Sequence, residues 1–177
     1  ASIRRRSLSG MSHIPEDRHK HGLVLDFSLE YNMILQTYFE SRFTNKIGFL
    51  RRKNIREYSD KLIQQYDVRS GQGPITTARS MSGGNQQKVV IGKWLFENAR
   101  VIIFDEPTRG IDVNSKAEIY TLMGDLLKEG KAILMISSDM PELISMSDRV
   151  IIVKDGAITG ELEGQNINEQ NIITKAL

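Results

Sequence analysis

Two carboxylates that close an apolar run, Val101-Ile102-Ile103-Phe104-Asp105-Glu106, are the residues of this 177-residue sequence best placed to do chemistry. A short apolar run of this kind reads as a buried strand, which is rigid and fixes whatever sits at its tip. An aspartate there can hold the water shell of Mg²⁺ on the phosphates of a nucleotide, and a glutamate beside it can orient and polarise an attacking water. Asp105 is therefore the metal candidate and Glu106 the general-base candidate. The same pattern also describes a strand running into an acidic turn, so the pair does not define a site by itself.

A second candidate is Ser82-Gly83-Gly84-Asn85-Gln86-Gln87-Lys88, just ahead of an apolar helical stretch with Val89, Val90, Trp94 and Leu95. Glycines let backbone N–H groups approach a phosphate, and a helix N-terminus favours its negative charge. The competing account is an ordinary helix start with Ser82 as the N-cap. Pairing with the carboxylates about 20 residues later favours the phosphate role.

The elements that must position these residues are legible in the rhythm of the last 80 residues. Val101 to Phe104, Ala132 to Ile136 and Val150 to Val153 are short apolar runs separated by longer mixed stretches, the beat of a parallel sheet with helical crossovers. Ala117, Tyr120, Met123, Leu126 and Leu127 recur at helical spacing, and Gly130 follows as a C-terminal cap. Lys154-Asp155-Gly156 is a tight-turn signal leading into Ala157 to Leu162, so a hairpin is expected to close the sheet edge, and Asn168 to Leu177 reads as a terminal helix. Upstream, Ile55, Tyr58, Leu62, Ile63 and Tyr66 share one helical face before Ser70 to Pro74 break the pattern. Residues 28 to 80 are expected to be mainly helical, and no internal repeat is visible.

Composition narrows the classes. With 40% hydrophobic residues the chain can bury one core. There is no cysteine, which excludes disulfides and thiolate metal sites and fits a reducing interior. No run of 18 apolar residues occurs, and Ala1 to Gly10 has three arginines with no apolar stretch behind them, so neither a spanning segment nor a secretion signal is expected. The net charge of +2 is uneven: residues 1 to 60 hold 11 Lys and Arg against 7 Asp and Glu, and the rest hold 13 against 15. The basic clusters at Arg4 to Arg6, Arg18 to Lys20 and Arg51 to Lys53 are read as solvated faces rather than a surface for phosphate, an anionic membrane or nucleic acid.

Taken in order, the Ser-Gly-Gly-Asn helix start, the strand ending Asp105-Glu106-Pro107-Thr108 and the following Gly110-Ile111-Asp112 resemble the ABC ATPase family. The resemblance makes these the signature motif, Walker B with its catalytic glutamate, and the D-loop. Ile136-Ser137-Ser138-Asp139 falls at the switch-histidine loop, and Ile14-Pro15-Glu16-Asp17-Arg18 at the glutamine loop. It covers about residues 11 to 177 and implies a partial P-loop NTPase core of α/β class. An α/β core over 101 to 177, with a mostly parallel sheet over 101 to 162, would carry Walker B, the D-loop and the switch loop, and a helical signature subdomain would span 28 to 100.

By the same resemblance Glu106 is catalytic and Asp105 holds Mg²⁺. ATP is contacted by Ser82, Gly83, Gly84, Asn85, Glu16, Asp112 and Ser138. The implied partners are a second ABC cassette, transmembrane permease subunits and, indirectly, a periplasmic or lipoprotein substrate-binding protein. The implied location is the cytoplasmic face of the membrane, with no nucleic acid expected.

Pro-Glu-Asp-Arg at 15 to 18, Met-Ser-Gly-Gly-Asn-Gln-Gln-Lys at 81 to 88 and Asp-Glu-Pro-Thr-Arg-Gly-Ile-Asp at 105 to 112 are most similar to the second cassette of tandem ATPases that import simple sugars such as ribose, xylose and galactose. His19 to Asp26 with Gln36-Thr37-Tyr38 resembles the nucleoside-importing branch instead. The intact Asp105-Glu106 pair resembles the sugar branch.

Departures from the family pattern matter. No Gly-x-x-x-x-Gly-Lys-Ser/Thr occurs, so the first strands and the Walker A loop are expected to be missing and the chain alone is expected to be inactive. Glu16 stands at the glutamine position and Ser138 at the histidine position, which points to a weaker site on this cassette's own side. Two other functions compete: a soluble ABC ATPase acting on nucleic acid or the ribosome, and a non-catalytic module that lends its signature motif to a partner cassette.

Overall fold

The computed structural model describes residues 5–6, 9–95 and 99–177, and these divide into two compact units, residues 1–136 and 137–177. In the first unit three parallel strands, β1 (Met11–Ile14), β2 (Val101–Asp105) and β3 (Ala132–Ile136), pair in the order β1-β2-β3. Met11 is in register with Val101, and Val101 with Ala132. Alternation along the strands gives the sheet two unlike faces. Ile14, Ile102 and Phe104 are fully buried on one, while Met11, Val101, Leu134 and Ile136 on the other are each more than a third exposed. Asp105 and His13 belong to this second, open face, because they fall on the same alternation as Met11 and Val101.

Parallel strands need a crossover, and α4 (Val113–Lys128) supplies the one between β2 and β3. Ile119, Met123 and Leu126, spaced four and three residues apart, are its buried stripe. The helix stops at Gly130, whose φ of 79° no β-carbon tolerates cheaply. Gly130 N–H donates to Leu127 O and Lys131 N–H to Leu126 O, satisfying carbonyls the helix leaves open.

Between β1 and β2 the chain builds α1 (Leu29–Ile34), α2 (Arg52–Gln65) and α3 (Gly83–Trp94), with 3₁₀ turns at Gly73–Ile75 and Ala78–Ser80. On α2, Ile55, Ser59 and Leu62 are buried, and Tyr58 packs edge-on against Phe43 with ring centroids 5.0 Å apart. The Arg42 guanidinium lies over both rings at 4.6 and 4.8 Å. No strand occurs among residues 45–66, where the one irregularity is an isolated bridge from Thr44 to Leu50.

Residues Gln86 to Lys93 of α3 are all buried, so its polar side chains need partners within the fold. Gln86 Nε2 donates to Ala78 O at 3.0 Å, Lys88 Nζ donates to Asp67 O at 2.8 Å and pairs with Glu118, and Lys93 Nζ donates to Gly22 O at 2.6 Å. Burial pushes the Lys93 ammonium down to about 8.

The second unit contains α5 (Met140–Met146), β4 (Arg149–Lys154), β5 (Ala157–Glu163) and α6 (Glu169–Ala176). Val150, Ile152, Leu162, Ile167 and Ile172 form its core, with Met140 packed against them. The β4-β5 turn has positive φ at both Asp155 (50°) and Gly156 (79°), the backbone a two-residue hairpin requires. The hairpin is present, but it forms its own two-stranded antiparallel sheet instead of closing the edge of the parallel one. The sequence also gave no warning of β1, whose four residues Met-Ser-His-Ile are too short and too polar to stand out.

Candidate functional site

Asp105 ends β2 on the open face of the sheet, and its carboxylate lies 3.5 Å from His13 Nε2 on the neighbouring strand. Glu106 follows with φ of 48°, a left-handed conformation that costs a non-glycine residue about 1 kcal/mol or more. Its N–H donates to Ile136 O at 2.9 Å, so one more rung of the ladder is made after the strand has formally ended. The chain therefore turns off the strand immediately after Asp105, with Glu106 at the turn. Among the described residues no cluster of three or more metal-ligating side chains occurs. A single aspartate on an open face still fits Mg²⁺, which keeps several waters and takes its remaining oxygens from phosphate.

Ser82 caps α3: its Oγ accepts from Asn85 N–H at 3.4 Å and from Asn85 Nδ2 at 3.0 Å. Asn85 Oδ1 in turn accepts from Arg69 N–H at 2.7 Å, so this side chain ties the 67–69 loop to the helix start. Gly84 is buried, and a β-carbon on it would meet Ser115 in the first turn of α4. Ser115 is held by Asp112, the N-cap of α4, which accepts from Ser115 N–H at 3.0 Å and from its hydroxyl at 2.7 Å. That hydroxyl bond is the first cause holding the Asp112 carboxyl below the usual range. The fold thus brings the start of α3 and the Asp112 cap side by side.

Glu16 is paired with Arg109, three residues beyond Glu106. Arg18 donates to the carbonyls of Arg109 and Gly110 at 3.0 and 3.3 Å. His13, Glu16, Arg18, Asp105 and Arg109 share the lining of a cleft of about 880 Å³ in the first unit. Ser138 belongs to the second unit, where it is exposed in the turn before α5. Beside it, Ser137 Oγ donates to the buried Glu142 carboxylate and accepts from Asp139 N–H at 3.0 Å. Arg18, Arg109, His13 and Ser115 were not among the residues singled out from sequence as site residues. Their roles depend on contacts between segments, and basic residues near a glycine turn carry no local signature.

A parallel-stranded α/β core with a carboxylate pair at a strand tip, and glycine-started and aspartate-capped helices side by side, defines a nucleotide-binding cassette in its general class. The model of the ABC transporter family matches residues 7–109, and the chain belongs to that family. It is 45% identical over 167 residues to the ribose import ATP-binding protein RbsA of Bacillus subtilis, covering 94% of this chain and 33% of that protein. The same identity extends over 169 residues of RbsA 2 of Streptomyces coelicolor, covering 96% of this chain and 32% of that protein. The chain thus spans about a third of the length of the curated relatives it matches. Among solved structures, the ADP conformation of MJ1267, an ATP-binding cassette of an ABC transporter, superposes with a TM-score of 0.72 at 17% identity. It covers 98% of this chain and 68% of that one. A dimeric MJ0796 cassette bound to ADP and Pi gives 0.68 at 21% identity, covering 86% and 62%. These likenesses establish the fold.

Proposed function

We propose that this chain is the rear part of the second nucleotide-binding cassette of an ATPase that drives import of a simple sugar. One observation carries the ATPase role: Gly84 is seated on Ser115, which Asp112 caps, so the signature start lies directly beside the Asp112 cap. The relatives' names, ribose import first among them, support a sugar over a nucleoside. In this proposal Glu106 polarises the water that attacks the γ-phosphorus of ATP. The bond to the bridging oxygen breaks, ADP and phosphate leave, and the water's proton passes toward the carboxylate. Asp105 would hold Mg²⁺, which when bound screens the phosphate charge. Ser82, Gly83, Gly84 and Asn85 offer amides and a hydroxyl to the γ-phosphate held by a partner cassette, and Asp112 lies against that partner. Glu16 is assigned to this cassette's own side, and residues 28–100 to the signature lobe.

Within these 177 residues no Gly-x-x-x-x-Gly-Lys-Ser/Thr occurs, so we further propose that the chain by itself has little affinity for ATP. The partners proposed are a second cassette, membrane permease subunits and a substrate-binding protein, with the chain peripheral to the membrane on its cytoplasmic side. Among the described residues no helix is long and apolar enough to cross a membrane. The test is ATP hydrolysis by the full-length protein reconstituted with its permease in proteoliposomes. Stimulation by a ribose-loaded binding protein supports the proposal. Stimulation by a nucleoside-loaded binding protein, or by nucleic acid, overturns the sugar assignment.

A further inference from the structure

Arg18 reaches two segments far from it in sequence, the start of α3 and the Arg109-Gly110 turn. Its own backbone is pinned first. Asp17 caps the π-turn Arg18–Gly22 through His19 and Lys20 N–H, both at 2.9 Å, and Leu23 N–H closes the turn on Arg18 O at 2.7 Å. The turn is clamped to the body of α3. Gly22 packs on Val90 so tightly that a β-carbon there would lie 2.9 Å from a Val90 methyl, Lys93 donates to Gly22 O, and His19 Nε2 lies 2.9 Å from Gln86 Oε1. From this fixed base the guanidinium extends along the start of α3. It donates to the carbonyls of Arg109 and Gly110, the turn between Glu106 and the Asp112 cap. A β-carbon on Gly83 would stand 3.1 Å from Arg18 Nη2 and 3.4 Å from Gly110 O. Arg18 Nε is buried without a hydrogen-bond partner among the described residues, so the side chain is committed to the carbonyls at its tip.

We propose that Arg18 is a positioning residue: a strut from the body of α3 that holds the Arg109-Gly110 turn against the helix start. It thereby fixes the spacing between the Gly83 and Gly84 amides and the Asp112 cap. A planar guanidinium donating to two successive carbonyls sets both distance and orientation, which a lysine ammonium on a flexible stem does not. The Glu16–Arg109 ion pair is a second rung between the same two segments. The strut also supplies a reason for glycine at position 83 that is independent of phosphate. A methyl group there would press on the guanidinium at 3.1 Å and on Gly110 O at 3.4 Å, so the strut would have to give by a few tenths of an ångström.

The consequence for turnover rests on the proposed role of this helix start as a phosphate-binding loop, so the test has two arms. In the full-length protein with its permease, Arg18→Ala is expected to lower kcat for ATP about tenfold with KM within about twofold, and Arg18→Lys to recover part of the loss. Gly83→Ala should lower kcat comparably, and the Arg18→Ala/Gly83→Ala double variant should be no worse than either single one, because both remove the same strut. Unchanged kcat in Arg18→Ala, or losses that multiply in the double variant, overturns the proposal. In the second arm, hydrogen exchange of the 82–88 and 109–113 amides in the same protein is expected to speed up in Arg18→Ala, and less so in Arg18→Lys. Unchanged exchange overturns the strut whatever the ATPase does. Gly83→Asp with wild-type turnover, beside faster exchange in Arg18→Ala, would support the strut while removing the phosphate role of the loop.

Discussion

Gly84 and Ser115 are seated so closely that a β-carbon on Gly84 would lie 2.2 Å from the Ser115 hydroxyl oxygen and 2.6 Å from its Cβ. Two helices from separate parts of the chain meet here at their first turns, and glycine is the residue that lets them. Both helices begin on a side-chain cap, Ser82 for α3 and Asp112 for α4, so each terminus is fixed locally before the two are brought together. The geometry of the candidate site is therefore set by packing as much as by chemistry.

Gly84→Ala is expected to destabilise the protein by about 1–3 kcal/mol, because the added methyl overlaps the Ser115 side chain and the two packed helix starts must move apart to admit it. Ser115→Gly removes the obstructing atoms, so the double variant should be more stable than the sum of the single losses predicts. Urea denaturation of the four proteins checks this. Additive losses would mean that the contact is not the cause.

Asn85 separates structure from function. Asn85→Asp keeps the acceptor for Arg69 N–H and places a carboxylate in the first turn of α3, which the helix dipole favours. It loses the donor to Ser82 and sets a negative charge where the proposed γ-phosphate docks. Stability within about 1 kcal/mol of wild type is expected, with ATPase activity reduced tenfold or more at low ionic strength. Thermal unfolding and steady-state turnover of the same samples provide the comparison. An unstable but fully active variant contradicts both halves.

Stability should respond to pH through two buried groups of opposite sign. Lys93 titrates at about 8 in the folded chain against 10.5 as a free side chain, so above pH 8 the folded state has lost a proton that the unfolded state keeps. Stability therefore rises from pH 8 toward 10, and below 8 the full penalty of the buried charge is present, up to about 3 kcal/mol. Burial raises Tyr66 from 10.0 to about 12, so the unfolded chain ionises first and stability falls above pH 10. Lys93→Met removes the buried titrating charge together with the Nζ donor to Gly22 O, and is expected to flatten the rise between 8 and 10. Denaturation midpoints across that range test it, and a wild-type profile that is flat there would show that Lys93 is solvated.

How much of this was legible in the sequence depended on whether a feature is local. The stripe Ile119, Met123, Leu126, the Gly130 stop, the Asp155-Gly156 turn and the helix ending near Tyr66 are each decided within a few residues, and the structure has them all. The parallel pairing of β2 and β3 follows from one helix between two apolar runs. β1 escaped notice because a four-residue strand acquires its identity from its neighbour, here by aligning with Val101 to Phe104. The same holds for the site. Asp105, Glu106 and the glycines announce themselves by type and spacing. Arg18 on the Arg109 and Gly110 carbonyls, and Glu16 paired with Arg109, exist only once the 15–18 and 109–110 segments have met. The left-handed backbone of Glu106 was equally invisible, since nothing in an Asp-Glu pair prescribes its φ.

The proposed roles of Gly83 and Glu106 place their damage in different ATP sites, and full turnover should tell them apart. Gly83→Asp puts a carboxylate against Arg18 and into the space where the partner's γ-phosphate is proposed to dock. It should impair the partner's site by repulsion and by lost amide contact. Glu106→Gln keeps the shape of the turn and removes the proposed base from this cassette's own side, where Glu16 is already paired with Arg109. The Gly83 change is therefore expected to be the more severe, by about tenfold in kcat. If instead both sites must fire for the cassettes to close, the two losses will be similar and the double variant no worse than either. Steady-state ATPase rates of the reconstituted transporter, measured for each single variant and the double, decide between these outcomes. A Glu106→Gln loss equal to or larger than that of Gly83→Asp rejects the asymmetry.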